Sequence, residues 1–137
     1  MKPRLITLVL CLMVVPGLFS CSSPVSTQDR TQSDLVQRGK AIFEMTMIGE
    51  SKAPGCVVCH SLEPGKNLVG PSLAGIATYA QTAMPGVSAE AFLRQAILEP
   101  DKHLMEGYPA GVMYSNYGKD LSQEEIEALV AFMLTLK

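Results

Sequence analysis

Apolar residues recur along this chain in three helical stripes. From Asp34 onward Leu35, Ile42 and Phe43, with Gly39 on the same side, follow the spacing of one helix face. Past Ser88, whose hydroxyl suits an N-cap, Ala89, Phe92, Leu93, Ala96 and Ile97 recur at i, i+3, i+4, i+7 and i+8. That second helix must close near Glu99, because Pro100 disfavours the α region in the residue before it. A third begins at Ser122 with Glu125 three positions on, the signature of a capping box. It carries Ile126, Leu129, Val130 and Met133 on one stripe and Ala128, Phe132 and Leu136 on another, which predicts burial over a wide face. No segment alternates apolar and polar positions long enough to predict a strand. The expectation is an all-α domain with three main helices and long loops.

The pattern is different at the N-terminus. Lys2 and Arg4 flank the start of an apolar run, LITLVLCLMVVPGLF. A charged region and an apolar stretch of this length have the proportions of a secretory signal and are short for a membrane span. The run closes at Leu18-Phe19-Ser20-Cys21, which resembles the lipobox of bacterial lipoproteins. The resemblance implies a signal over residues 1–20 and an acylated Cys21 as the first residue of the mature chain. The protein is then exported and lipid-anchored, in the periplasm or on the outer face of a bacterial membrane. Residues 22–33, SSPVSTQDRTQS, are polar and without periodicity, and read as a flexible linker. The folded domain is expected over residues 34–137. A domain of that size buries a modest core, so an apolar cofactor at its centre would add to it.

Charge narrows the partners. With Lys2 and Arg4 set aside with the signal, nine basic residues face thirteen acidic ones, a formal charge of −4. No basic cluster points to nucleic acid.

Export bears on the cysteines, because free pairs outside the cytoplasm tend to oxidise. Of the four, Cys11 leaves with the signal and Cys21 is the lipid site. Cys56 and Cys59 remain, both inside GCVVCH, so no disulfide framework is left over. Three chemistries use a Cys-x-x-Cys pair. A thioredoxin-type dithiol sits beside a strand in a βαβ pattern, which this chain does not show. A structural zinc needs a fourth ligand and normally a second Cys/His pair, and His103 is far downstream and alone. Covalent haem uses every residue of the motif: two thiols add across two vinyl groups, and His60 is carried under the iron.

Residues 34–137 resemble a class I cytochrome c. RGKAIFE on the first helix is followed by CVVCH, GPSL, a middle helix, a methionine loop and the closing helix EIEALVAFMLTL, in the family's order. The resemblance implies that the first and last helices cross closely, with Gly39, Phe43 and Phe132 at the crossing as core. It implies one covalent haem c on Cys56 and Cys59, with His60 as the proximal iron ligand. Pro71 would lend its carbonyl to the His60 N–H, fixing the tautomer and raising donor strength; Gly70-Pro71 also reads simply as a turn. The family places its sixth ligand between the middle and last helices, where Met105 and Met113 stand. Met113, framed by Pro109, Gly111 and Gly118, suits a tight backbone excursion and is the expected ligand. Met105, and His103 as a bis-histidine partner, are the alternatives. Tyr79, Tyr108, Tyr114 and Tyr117 are candidates either for propionate hydrogen bonds or for loop packing. The connection over 44–55 is longer than compact relatives have.

The function implied is one-electron transfer with no substrate bound at iron, hence not an enzyme in its own right. The expected protein is a membrane-tethered carrier in a bacterial respiratory or photosynthetic chain. Its redox partners would be membrane-bound: a quinol-oxidising complex, a terminal oxidase or a reaction centre. The alternatives are a fixed haem subunit of a larger quinol-oxidising or terminal-oxidase complex, a five-coordinate haem that reduces peroxide or senses gas, and a zinc-binding lipoprotein.

Overall fold

Helix α1 (Thr27–Phe43) starts earlier than its apolar stripe. The structure is a computed structural model and describes residues 27–137; the signal and Cys21 lie outside the described residues. The linker expectation is therefore corrected over its second half, since residues 27–33 are helical. Polarity there dictates exposure and not backbone state: residues 31–34 are exposed. No Gly or Pro stands between Pro24 and Gly39. Once the packed half of α1 has formed, each further residue adds a hydrogen bond at small entropic cost, and Gln and Arg propagate a helix well.

The C-terminal half of α1 crosses α6 (Gln123–Met133). At the crossing a Cβ on Gly39 would overlap the Ala128 carbonyl and stand 2.9 Å from Phe132 Cβ, so the missing side chain is what lets the two backbones meet. Phe43 and Phe132 fill the flank, their ring centroids 5.6 Å apart and tilted by 54°. Helix α6 buries Ile126, Ala128, Leu129, Val130, Ala131, Phe132 and Met133: the whole of one expected stripe and Ala128 and Phe132 of the other, while Leu136 lies beyond the helix and is half-buried. Its capping box is formed in both directions: the Glu125 N–H donates to Ser122 Oγ at 3.2 Å, and the Ser122 N–H donates to Glu125 Oε2 at 2.8 Å. Helix α4 (Ala89–Leu98) packs on α6 and presents Phe92, Leu93 and Ile97 to the core. The Ser88 hydroxyl accepts from the Ala91 N–H, and the helix closes one residue before Glu99.

Between these helices lie short elements that periodicity does not reveal. Strands β1 (Met47–Ile48) and β2 (Ala53–Pro54) pair antiparallel inside the long 44–55 connection, with Ile48 and Ala53 buried. One-turn helices follow: α2 (Cys56–Cys59), α3 (Ile76–Ala80) and α5 (Tyr117–Asp120). Helix α3 is tied to the chain end by the Ala77 N–H, which donates to the Leu136 carbonyl at 3.0 Å. Among the described residues the fold is all-α apart from this two-residue ladder. No helix among the described residues is long and apolar enough to cross a membrane. The core layers α1, α4 and α6 form one wall of a cavity, and the loops from α2 onward form the rest.

Candidate haem site

Helix α2 is a single turn, so Cys56 and Cys59, three apart, share a face. Neither is in a disulfide, and both are half-buried. Burial pushes the Cys56 thiol up to about 11, with a small further rise from Cys59 and an opposing backbone hydrogen bond.

His60 leaves the helix in extended conformation, its N–H donating to the Cys56 carbonyl. Its Nδ1 lies 2.8 Å from the Pro71 carbonyl. A carbonyl only accepts, so Nδ1 carries the proton and Nε2 keeps a bare lone pair. Burial holds the imidazole below its ordinary range, partly offset by the Pro71 carbonyl, which favours the neutral form that ligates metals. Gly70 lets the ring lie flat on the backbone: a Cβ there would overlap His60 Cε1 and stand 2.8 Å from Nδ1. The segment after the histidine is laced to itself. The Gly70 N–H donates to the Cys59 carbonyl at 2.9 Å and the Leu73 N–H to the Ser61 carbonyl at 2.8 Å. Ser72 donates through Oγ to the Glu63 carbonyl and through its N–H to Asn67 Oδ1.

Cys56, Cys59 and His60 open onto a cavity of about 500 Å³. Its floor is Phe43, Leu93, Ile97, Leu129 and Met133, and the loop over 100–115 supplies much of the remaining wall. The expected iron ligand Met113 and both alternatives, Met105 and His103, line it. They differ in what else holds them. His103 Nε2 is 3.0 Å from the Tyr79 hydroxyl, and its ring packs edge-on against Phe92 at 5.1 Å. Met113 packs against the buried core, whereas Met105 is not part of that cluster. Val69, Leu104 and Val112 line the cavity and are 58 %, 45 % and 50 % exposed, so they form an apolar rim at its mouth.

Of the four tyrosines, three have hydroxyls engaged within the protein. Tyr79 meets His103, Tyr114 donates to Asp120 Oδ2 at 2.7 Å, and Tyr117 donates to the Pro54 carbonyl at 2.6 Å. Tyr108 lines the cavity. Two acidic residues absent from the sequence reading support the methionine loop. Asp101 Oδ1 accepts from the Gly111 N–H at 2.8 Å, and Asp120 accepts from Tyr114 and from Ser51 Oγ at 2.6 Å. Those two donors hold the Asp120 carboxyl below its ordinary range. Neither acid carries a sequence signal, because each acts on a residue that only the fold brings near.

The residues present fit a haem. The cavity volume falls within the span of cofactor sites, its walls are apolar, and two thiols and an imidazole with a bare Nε2 converge on one part of it. No group of three or more His, Cys, Asp or Glu side chains among the described residues is arranged to hold a metal ion, which leaves the zinc alternative without a ligand set.

The family model for cytochrome c matches residues 36–137. The chain belongs to the cytochrome c family. It is also similar to cytochrome c2 iso-1 of Magnetospirillum fulvum, 28% identical over 90 residues that cover 60% of this chain and 91% of the relative. A class I cytochrome c with covalent haem c as its cofactor accounts for the helical order and for the cavity. This cytochrome c is an electron-transfer protein that works with redox partners.

Proposed function

We propose that this cytochrome c is a lipid-tethered, His/Met-ligated electron carrier at the outer face of a bacterial membrane, serving a respiratory or photosynthetic chain. The observation that carries the ligand set is the His60–Pro71 hydrogen bond, which leaves Nε2 bare beside Cys56 and Cys59 in a cavity that Met113 also lines. Cys56 and Cys59 would hold the group through two thioether bonds, each S–H adding across a vinyl group without change of iron oxidation state. His60 would supply the proximal nitrogen, with Pro71 fixing ring orientation and donor strength. Met113 would supply a thioether, a donor that favours the ferrous state and raises the potential. When bound, the haem supplies a one-electron Fe(III)/Fe(II) couple. The chain's own contribution would be to supply both iron donors, keep water away with Phe43, Leu93, Ile97, Leu129 and Met133, and present the apolar rim of Val69, Leu104 and Val112 to partners. The tether rests on the lipobox-like Leu18-Phe19-Ser20-Cys21.

Two measurements test this. The ferric protein is expected to show the near-infrared charge-transfer band of an iron–thioether bond. Met113→Ala should abolish that band, lower the potential and open the iron to added ligands, while Met105→Ala and His103→Ala retain it. A band that survives Met113→Ala and disappears in Met105→Ala overturns the ligand. Mass spectrometry of the mature N-terminus is expected to find an acylated Cys21, and an unmodified thiol there removes the tether.

A further inference from the structure

The 44–55 connection is long, yet it covers the cavity only through its last residues, Pro54 and Gly55. Its two strands have two residues each, too little to stand alone as a hairpin. Met45 and Met47 are 48 % and 60 % exposed, so much of its apolar surface stays in water. Its cross-chain hydrogen bonds converge instead on residues 114–120. From the turn, Ser51 Oγ donates to Asp120 Oδ1 at 2.6 Å. The other carboxylate oxygen, Oδ2, accepts from the Tyr114 hydroxyl at 2.7 Å. From β2, the Pro54 carbonyl accepts from the Tyr117 hydroxyl at 2.6 Å, and Tyr117 packs edge-on against the Tyr114 ring at 5.0 Å. Tyr114 is thus held at its hydroxyl and at its ring, both by groups bonded to the hairpin. It is the residue directly after Met113, and Pro54 is two residues before Cys56.

We infer that the hairpin is a brace for the methionine loop: Ser51 and Tyr114 clamp the two oxygens of Asp120, and through them the hairpin sets where Met113 sits. Ser51, Asp120 and Tyr114 are positioning residues: Ser51 and Asp120 do not line the cavity, Tyr114 lines it beside Met113, and all three act through Met113. The inference rests on Met113 being the distal ligand. Its consequence is measurable, because an added ligand such as imidazole competes only when Met113 swings away. Loosening the brace raises the population of the open loop and with it the apparent affinity for imidazole.

The experiment titrates the ferric holoprotein with imidazole, well below its unfolding temperature, following loss of the iron–thioether band. Ser51→Ala should raise imidazole affinity about two- to fivefold, the size of one exposed hydrogen bond. Ser51→Thr, which keeps the hydroxyl, should return it to the parent value. Asp120→Ala should raise it further, and adding Ser51→Ala to Asp120→Ala should change nothing more. A Ser51→Ala protein that melts earlier but binds imidazole like the parent overturns the brace and makes the hairpin mere packing. Additive effects of Ser51→Ala and Asp120→Ala overturn the route through Asp120. A parent protein with no thioether band overturns the Met113 assignment, and this inference with it, which is a different result from an intact band and an unmoved affinity.

Discussion

Two segments flank the same cavity and are held in place by different means. Residues 59–73 are fixed mostly by one another: Gly70 on Cys59, Leu73 on Ser61, Ser72 on Glu63 and Asn67, and Pro71 on the His60 ring. Residues 101–116 are held at a few points. Met105 and Tyr108 close one turn, Asp101 caps Gly111, and Tyr114 reaches out to Asp120. The first segment is a local structure, tied mostly to itself. The second takes its position from other parts of the chain, and its tie to iron would complete it. Under the proposed ligand set this division has a use, because the His60 nitrogen would be a constant reference while the Met113 donor would be adjusted by its supports.

The comparison can be broken most severely at the attachment turn. Cys56→Ala with Cys59→Ala should abolish haem-dependent peroxidase staining of the denatured protein on a gel, whereas every distal-loop substitution should leave that stain intact. Next comes the glycine on which the imidazole lies. Gly70→Ala would drive a methyl into the His60 ring and cost about 3 kcal/mol, a fall of roughly 15 °C in melting temperature. The distal counterpart should be mild. Gly111 has φ +76° and nothing within 4 Å of a would-be Cβ, so Gly111→Ala should cost about 1 kcal/mol of backbone strain and no clash. If Gly111→Ala destabilised as much as Gly70→Ala, the distal loop would be as tightly packed as the proximal one and the contrast would be void. The smallest effect is expected from Asp101→Ala. It frees an N–H that water can reach, so stability should fall by about 0.5 kcal/mol or less, while hydrogen exchange at Gly111 quickens.

The same division explains what was legible in the sequence. The Cys-x-x-Cys-His motif is contiguous, with His60, both thiols and the carbonyl of Pro71 inside sixteen residues, so it reads directly from the chain. The crossing helices were legible because their stripes span several turns and Ser122 and Glu125 announce a start. The supports of the distal loop were not, since Ser51 and Asp120 stand 69 positions apart and neither is unusual in its own neighbourhood. Strands of two residues and helices of four or five are too short for any period to show, which hid β1, β2, α3 and α5. Composition hides the helix over 27–33 for another reason: it reports solvent exposure, and a solvated helix has the same polar composition as a coil.

The contact of Gly39 with Ala128 joins positions about 90 residues apart, close to the two ends of the described chain. Topologically the crossing is a clasp, and nearly everything that builds the cavity belongs to the ring it closes. A ring of that length forms slowly, because its closure entropy must be met before the contact is made. Once closed, it makes the molecule tolerant of a cut. A protease that nicked the exposed turn at Glu50 or Ser51 would leave α1 clasped to α6, and the two pieces would travel together until the clasp itself opened.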